Sequence, residues 1–357
     1  MSGPRLLIVA DDLTGALDSA GEAARLGIAA RAFLSPAALA AAEGQALPPV
    51  VAVSTGSREG SAAAALEAMD AVCATLPWLS PEAVMKKVDS RLKGHVFAET
   101  ARLAAALGQS RLLVAPALPD MGRIQQNGFL SGSGISQPIG IAGHFEGLSA
   151  EVPEITDTDQ MQRAVESAGL PVGARALAAA MAERLWPGAR PVATPRLHGP
   201  AVLAIGSRDP ITLAQAGRLE IPLHAAPDGE LRRDIPFSTC VVQMVPGGTG
   251  RPPAEAGALF AQGVASILLR ETIATLIACG GETAGAVLSR IGIGCLDVCG
   301  LALPGIPVAR ATLQGARVLH VVTKSGGFGG PDTLAQLVNL VDNRAAALAI
   351  VNYGIIA

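Results

Sequence analysis

The sequence predicts an α/β fold: two α/β domains with mainly parallel sheets. Three observations carry that expectation. Short continuous apolar runs read as strands buried on both faces. They alternate with helical patterns of roughly ten to fifteen residues, the mark of strand–helix–strand units. The chain has 357 residues, enough for about two ordinary domains, and is 50% hydrophobic with only 3% aromatic residues. Its core must therefore be built from Ala, Leu, Val and Ile.

Leu6–Ala10 is the first apolar run. Asp11-Asp12-Leu13-Thr14-Gly15 follows, and a helical pattern covers Ala16–Leu26, with Thr14 as the expected N-cap. Val50–Val53 reads as a strand, followed by Ser54-Thr55-Gly56-Ser57-Arg58-Glu59 and an alanine-rich helix to about Leu76. Val84–Val88 is another strand, leading through Asp89-Ser90-Arg91-Leu92-Lys93-Gly94 to a helix that ends near Gly108; Arg111–Ala115 is a fourth. Residues 120–160 are rich in Gly, Ser, Gln and Pro and predict a long loop or a short β excursion. A helix over Ala174–Leu185 precedes Pro187–Pro200, the expected linker, rich in Pro, Gly and Arg.

A second α/β pattern opens at Ala201–Ile205. It continues through a helix at Pro253–Gln262, an apolar stretch at Ile267–Cys279 and a helix at Thr283–Ile291. Strands at Pro307–Ala311 and Val318–Thr323 and a last helix over roughly Asp332–Arg344 complete it. The expected domains are residues 1–190 and 200–357.

The formal net charge of −3, with no basic block, argues against nucleic acid as a partner. The cysteines Cys73, Cys240, Cys279, Cys295 and Cys299 are odd in number and form no Cys-x-x-Cys pair. With no signal peptide at the start, they predict reduced thiols and a cytoplasmic protein. Cys295 and Cys299 read as small buried hydrophobes between elements. No apolar run is expected to reach membrane-spanning length, and the scattered histidines hold no zinc pattern. No metal-ligating residues are therefore assigned.

Lysine is scarce. Four lysines stand among 27 basic residues: Lys86, Lys87, Lys93 and Lys324, all in two short glycine-linked stretches. A chain that writes almost every cation as arginine has kept lysine where a compact ammonium suits a phosphate or carboxylate oxygen. Strand alternation sends Lys86 and Lys87 to opposite faces, so one of them at most reaches a given site.

Asp11 and Asp12 follow a buried strand, the position where open parallel sheets bind ligands. One carboxylate there can accept a proton and the other can bind hydroxyls; the competing reading is a turn with a helix-dipole pair. Asp89, Lys87 and Lys93 gather after another strand, and Ser57 and Arg58 after a third, where Arg58 offers a fork for a carboxylate. In the second half, Gly280-Gly281-Glu282-Thr283 and Lys324-Ser325-Gly326-Gly327-Phe328-Gly329-Gly330 each follow an apolar segment and precede a helix. Backbone amides in such loops cradle phosphates. Neither loop is a Walker A motif or Gly-x-Gly-x-x-Gly.

These pieces, in this order, resemble the four-carbon acid sugar kinase family. The resemblance rests on Ala10-Asp-Asp-Leu-Thr-Gly-Ala16 with Asp18, Ser57-Arg58, Lys87-Val-Asp-Ser90 with Lys93-Gly94, and Pro116 to Arg123 with Gly128. Gly206-Ser207, Gly280-Gly-Glu-Thr283 and Ser325-Gly-Gly-Phe-Gly329 complete it. It implies an N-terminal acid-sugar domain, a C-terminal nucleotide domain, ATP with Mg²⁺, and phosphoryl transfer to a hydroxyl of a tetronate or 3-oxo-tetronate. Carried to this chain, Asp11, Asp12 and Asp89 are the catalytic candidates. Ser57, Arg58, Lys87 and Lys93 bind substrate, and Ser207, Gly280, Gly281, Glu282, Thr283, Gly326 and Gly327 bind ATP. It also implies a site between domains that closes for catalysis.

The chain departs from the family at Asp89-Ser-Arg-Leu-Lys-Gly94 and Gly122-Arg-Ile-Gln125, at Leu17 where the family carries Asn, and at Arg208-Asp209. Most of these changes lie on the sugar side and bear on substrate identity. A non-catalytic effector of the same fold is the alternative. An aspartyl-phosphate phosphatase is disfavoured, because Leu13 stands where that chemistry needs a second Asp. Partners are the acid sugar and ATP, with no nucleic acid or membrane; the sequence leaves room for a homo-oligomer.

Overall fold

A computed structural model describes residues 3–232, 238–270 and 272–342. The chain forms two compact units: residues 1–193 with Cys295–Leu301, and residues 194–294 with 302–357. Each is a mainly parallel sheet flanked by helices.

The first unit begins with β1 (Leu6–Ala10), buried at every position, and α1 (Leu13–Ala24). Apolar residues at 13, 16, 17, 20, 23 and 24 give α1 a broad inward stripe, and its many small residues allow close packing on a neighbouring helix. Then come β2 (Ala30–Phe33), α2 (Pro36–Ala40), β3 (Val50–Ser54), α3 (Ala62–Cys73), α4 (Leu76–Leu79), β4 (Ala83–Lys87), α5 (Val96–Ala106) and β5 (Arg111–Ala115). The glycine-rich region 120–160 makes a β excursion: β6 (Arg123–Gln126), β7 (Phe129–Gly132) and β8 (Ile139–Gly140) form an antiparallel three-stranded sheet, and β9 (Ser149–Glu151) joins the main sheet. The unit closes with α6 (Thr158–Ala164), β10 (Leu170–Gly173) and α7 (Arg175–Leu185), which packs on α1.

The main strands of this unit run in the order β2-β3-β1-β4-β10-β5-β9, all parallel. Residues 295–298 pair antiparallel with β2, so a piece of distant sequence supplies an edge strand. The sequence reading lacked β2, β10 and this edge. The 18-residue stretch Ala62–Leu79 has mean hydropathy 1.2 and meets the length for a membrane span, contrary to expectation. It is broken at Ala74–Thr75 into α3 and α4. The 12 residues of α3 give only about 18 Å of helix, against about 30 Å for a bilayer core.

The second unit contains β11 (Leu197–His198), β12 (Ala201–Ile205), α8 (Pro210–Ala216), β13 (Leu223–Pro227), β14 (Cys240–Val245), α9 (Pro253–Arg270), β15 (Thr275–Cys279) and α10 (Gly281–Arg290). β16 (Cys295–Leu303) leads into β17 (Ile306–Thr312), β18 (Val318–Lys324), α11 (Thr333–Asn339) and β19 (Val341–Asp342). The sheet order is β13-β14-β12-β15-β18-β17, parallel except for β17. The expected helix at Pro253–Gln262 continues to Arg270, so the first part of the apolar stretch after it is helical. The last helix is shorter than expected, and Arg344 lies outside the described residues. Cys295 and Cys299 are half-buried on β16 rather than buried between elements, because Leu296, Val298 and Ala302 take the inward positions of that strand.

Candidate active site

In the first unit, β3, β1 and β4 end at one level, since Ala10 is in register with both Ser54 and Lys87. Strands run outwards from β1 on both sides, so this is the sheet's switch point, and the crevice beyond its carboxyl ends is the favoured ligand position. Asp11 and Asp12 leave β1 there. Asp12, not Thr14, is the N-cap of α1, because the first helical turn begins at Leu13. Its Oδ1 accepts from the Gly15 amide at 2.8 Å, and the Thr14 hydroxyl donates to its other oxygen.

Arg58 binds both aspartates. Its Nε and Nη2 donate to Asp11 at 2.8 and 2.7 Å; its Nη1 and Nη2 donate to Asp12 at 2.9 Å each. Asp89 Oδ1 lies 3.9 Å from Nη1. The expected fork for a substrate carboxylate is thus filled by the chain's own carboxylates. Burial works against the charge on Arg58, but Asp12, Asp11 and Asp89 raise its pKa above the ordinary value. Burial also pushes the Asp11 carboxyl up; the Arg58 hydrogen bonds and charge, with Lys86 and Lys87, overcome this and hold it below the usual range.

Lys86 and Lys87 do face opposite ways. Lys86 is fully buried, 2.7 Å from Glu99 Oε2 on α5, and donates to the Lys87 carbonyl. Ser57 donates to the other oxygen of Glu99 and sits 2.7 Å from the Thr55 hydroxyl. Ser57 is therefore buried in this network beneath the crevice. Glu99 went unrecognised in the sequence; its one local signal is an acidic residue in the first turn of α5.

Lys87 reaches over α1. Its Nζ donates to the Val88 carbonyl at 3.0 Å, and a Cβ on Gly15 would sit 2.7 Å from both Lys87 Nζ and Asp12 Oδ1. Gly15 is the gap through which the ammonium approaches the aspartate. Asp18 lies one turn further along α1, with the Ser19 hydroxyl donating to it at 3.0 Å. Burial raises its pKa to about 6, offset in part by Lys87 and Arg175. Lys93 is exposed on the loop after Asp89, and Asp89 accepts from the Arg91 amide at 2.9 Å. Gln125, one of the departures, is fully buried and donates to the Val114 and Pro153 carbonyls, which assigns it to the scaffold.

In the second unit, β12, β15 and β18 likewise end at one level, with Ile205, Cys279 and Lys324 in register. Gly206-Ser207, Gly280-Gly281 and Ser325-Gly326 follow them. Gly280 has φ 113°, closed to most L-residues, and its carbonyl accepts from Ala284 as α10 begins. The preceding amides, Gly281 to Thr283, have no acceptor within the helix. A Cβ on Gly206 would collide with the Thr283 hydroxyl, and one on Gly326 would lie 2.5 Å from Ser207 Oγ. Ser207, Gly280, Thr283 and Gly326 are thus brought together, with Glu282 in the first turn of α10. Lys324 differs from expectation. It is fully buried and donates to Thr212 Oγ1, Ser325 O and Gly326 O at 2.8, 3.1 and 3.2 Å. Its ammonium is bound by the protein's own oxygens.

A cavity of about 530 Å³ lies at the amino ends of β4 and β10, lined by Arg5, Glu82, Val84, Leu170 and Arg184 among others. None of the expected site residues lines it.

Two family descriptions match the chain: a sugar-binding N-terminal domain over residues 6–139 and a nucleotide-binding C-terminal domain over residues 247–334. The chain is 26% identical to D-threonate kinase of Bordetella bronchiseptica, over 96% of this chain and 99% of that protein. It is 29% identical to D-threonate kinase of Cupriavidus necator, over 92% and 96%. It is 25% identical to 3-oxo-tetronate kinase of Pseudomonas fluorescens, over 94% and 97%. A Salmonella typhimurium structure described as a putative tRNA synthase shares the fold at TM-score 0.74 and 20% identity, covering 94% of this chain and 99% of that one. A Haemophilus influenzae structure does so at TM-score 0.63 and 20%, covering 93% and 99%. With both family domains matched in order and relatives aligned along nearly the whole length, the chain belongs to the four-carbon acid sugar kinase family.

Proposed function

We propose that this protein transfers the γ-phosphoryl group of ATP to a hydroxyl of a four-carbon acid sugar of the tetronate or 3-oxo-tetronate type. The observation that carries this reading is the pair of strand-end crevices. One gathers carboxylates and cations around Arg58. The other gathers glycine amides with the hydroxyls of Ser207 and Thr283. The first has the chemistry to read a hydroxy acid, the second a polyphosphate.

In the transfer, the acceptor oxygen forms a bond to the γ-phosphorus as the bond to the β–γ bridging oxygen breaks and ADP leaves. The acceptor's proton passes to a carboxylate. Asp11, Asp12 and Asp89 are the candidates; the Arg58 pairing that holds Asp11 below the usual range weakens it as a base. Lys87, Lys93 and Arg58 would neutralise the substrate carboxylate, Arg58 by exchanging one of its aspartates for it. Ser57 would order this loop through Glu99. Ser207, Gly280, Gly281, Glu282, Thr283, Gly326 and Gly327 would hold ATP. Such chemistry depends mainly on positioning and charge neutralisation.

Mg²⁺ would arrive with the nucleotide. Among the described residues no three His, Cys, Asp or Glu side chains gather into a metal cage. An ion bound through phosphates and water needs none; Asp209, beside the Gly326 turn, and Glu282, in the first turn of α10, are the carboxylates that would meet its water shell. Five free thiols support a reducing, cytoplasmic setting. Phosphorus NMR of the protein with Mg-ATP and a panel of four-carbon sugar acids tests the reading. One acid should yield ADP and a new phosphomonoester in equal amounts. ATP left intact with every acid, while both ligands bind, would favour the non-catalytic effector.

A further inference from the structure

The loop after β18 has its carbonyls spoken for. Ser325 O and Gly326 O accept from Lys324 Nζ at 3.1 and 3.2 Å. Gly326 O also accepts from the Thr212 hydroxyl at 2.6 Å. The Gln215 amide donates to Phe328 O and Gly330 O at 3.2 and 2.7 Å. Thr212 and Gln215 lie one turn apart on α8, and Lys324 Nζ also donates to Thr212 Oγ1 at 2.8 Å. All three side chains are buried. So four carbonyls of a six-residue loop are held by three side chains.

A planar trans peptide points its carbonyl and the next residue's N–H in opposite directions. Anchoring the carbonyls of Ser325, Gly326 and Phe328 towards α8 and Lys324 therefore turns the amides of Gly326, Gly327 and Gly329 the other way. Gly326 packs so closely on Ser207 that a Cβ there would lie 2.5 Å from Ser207 Oγ. The loop thus adjoins the Gly206-Ser207 turn, which in turn adjoins Gly280. Successive outward amides form a concavity suited to anionic oxygens.

We propose that Thr212, Gln215 and Lys324 are positioning residues of the nucleotide site: by gripping the carbonyls of the 325–330 loop they present its amides to the phosphates of ATP. This rests on the nucleotide reading of the second unit. It reverses the role that the sequence implied for Lys324, which acts through the loop rather than on the phosphate. Burial lowers the Lys324 pKa, and the charges of Cys279 and Asp209 oppose this in part.

Isothermal titration of the full chain with Mg-ATP and with adenosine tests the proposal, using Thr212→Val, which removes the hydroxyl at nearly constant volume, and Thr212→Ser, which restores it. Thr212→Val should weaken ATP about tenfold and leave adenosine within twofold; Thr212→Ser should recover ATP binding. If Thr212→Val fails to fold, Gln215→Leu should show the same selectivity at about threefold. Unchanged ATP affinity, equal weakening of ATP and adenosine, or no recovery with Ser would overturn the clamp. Normal ATP binding by the unsubstituted chain without phosphorylation of any acid would overturn the kinase reading and leave the clamp standing. No ATP binding by the unsubstituted chain would overturn both.

Discussion

The two crevices share one architecture and differ in what fills it. In each, three adjacent parallel strands end in register, β3-β1-β4 in one unit and β12-β15-β18 in the other. The first is made of charged side chains that already satisfy each other: Arg58 spends both edges of its fork on Asp11 and Asp12. The second is made of main chain, its carbonyls anchored by Thr212, Gln215 and Lys324. On the proposed reading, a substrate entering the first would have to replace internal ion pairs, which would make recognition selective and costly. A phosphate entering the second would meet a shape that already exists. One unit would then discriminate and the other would bind by preorganisation.

Removing Arg58 should break this contrast most severely. Arg58→Met removes the hydrogen-bonded partner of the buried Asp11 carboxylate, and loss of one partner of a buried pair costs about 3–5 kcal/mol. Urea denaturation should register that loss, and Asp11→Asn on the same background should recover part of it. Full additivity of the two changes would show that the pair is not coupled. Asp12→Ala comes next. Turnover should fall below detection while ATP still binds, with stability reduced by about 1 kcal/mol from the lost N-cap. Retained turnover would remove Asp12 from the chemistry.

Gly206→Ala should act on the other crevice. The added methyl meets Thr283, and ATP affinity should drop about tenfold or more while the acid's KM is held. The smallest effect concerns Asp18. Its folded pKa, raised to about 6 from 3.8, means that the folded protein binds the proton more tightly than the unfolded chain. Stability should therefore decline as pH rises from 4 to 6 and stay reduced above that. Asp18→Asn should match the unsubstituted protein at pH 4 and exceed it at pH 8. Identical pH profiles would rule this out. Asp11 acts with the opposite sign: its lowered pKa adds stability that is present above the unfolded value and lost as pH falls through the folded one.

What could be read in the chain before folding was mostly local. Leu6–Ala10 and Ala201–Ile205 are buried at every position, so their apolar runs announced central strands and placed Asp11, Asp12 and Ser207 at strand ends. The glycine pairs at 280 and 326 marked turns for the same reason. Long-range pairing left no such trace. Arg58 and Asp11 stand 47 residues apart, and nothing in Ser57-Arg58-Glu59 says which carboxylate the guanidinium will find. Which lysines are buried could not be read, because burial is invisible in sequence. Lys86, Lys87 and Lys324 are all buried, held by Glu99, backbone carbonyls or Thr212. Lys93 alone of the four is exposed. β2 was missed because it is short and Arg31 interrupts its apolar run, and β16 because its alternating exposure leaves no continuous one.

The central claim is that acid and nucleotide are read by separate sets of residues in one chain. Titrating Asp12→Ala and Gly206→Ala each with Mg-ATP and with the phosphorylated acid's parent tests it in a single crossed experiment. The account predicts that Asp12→Ala loses the acid and keeps ATP, while Gly206→Ala loses ATP and keeps the acid. Either substitution weakening both ligands alike would contradict it.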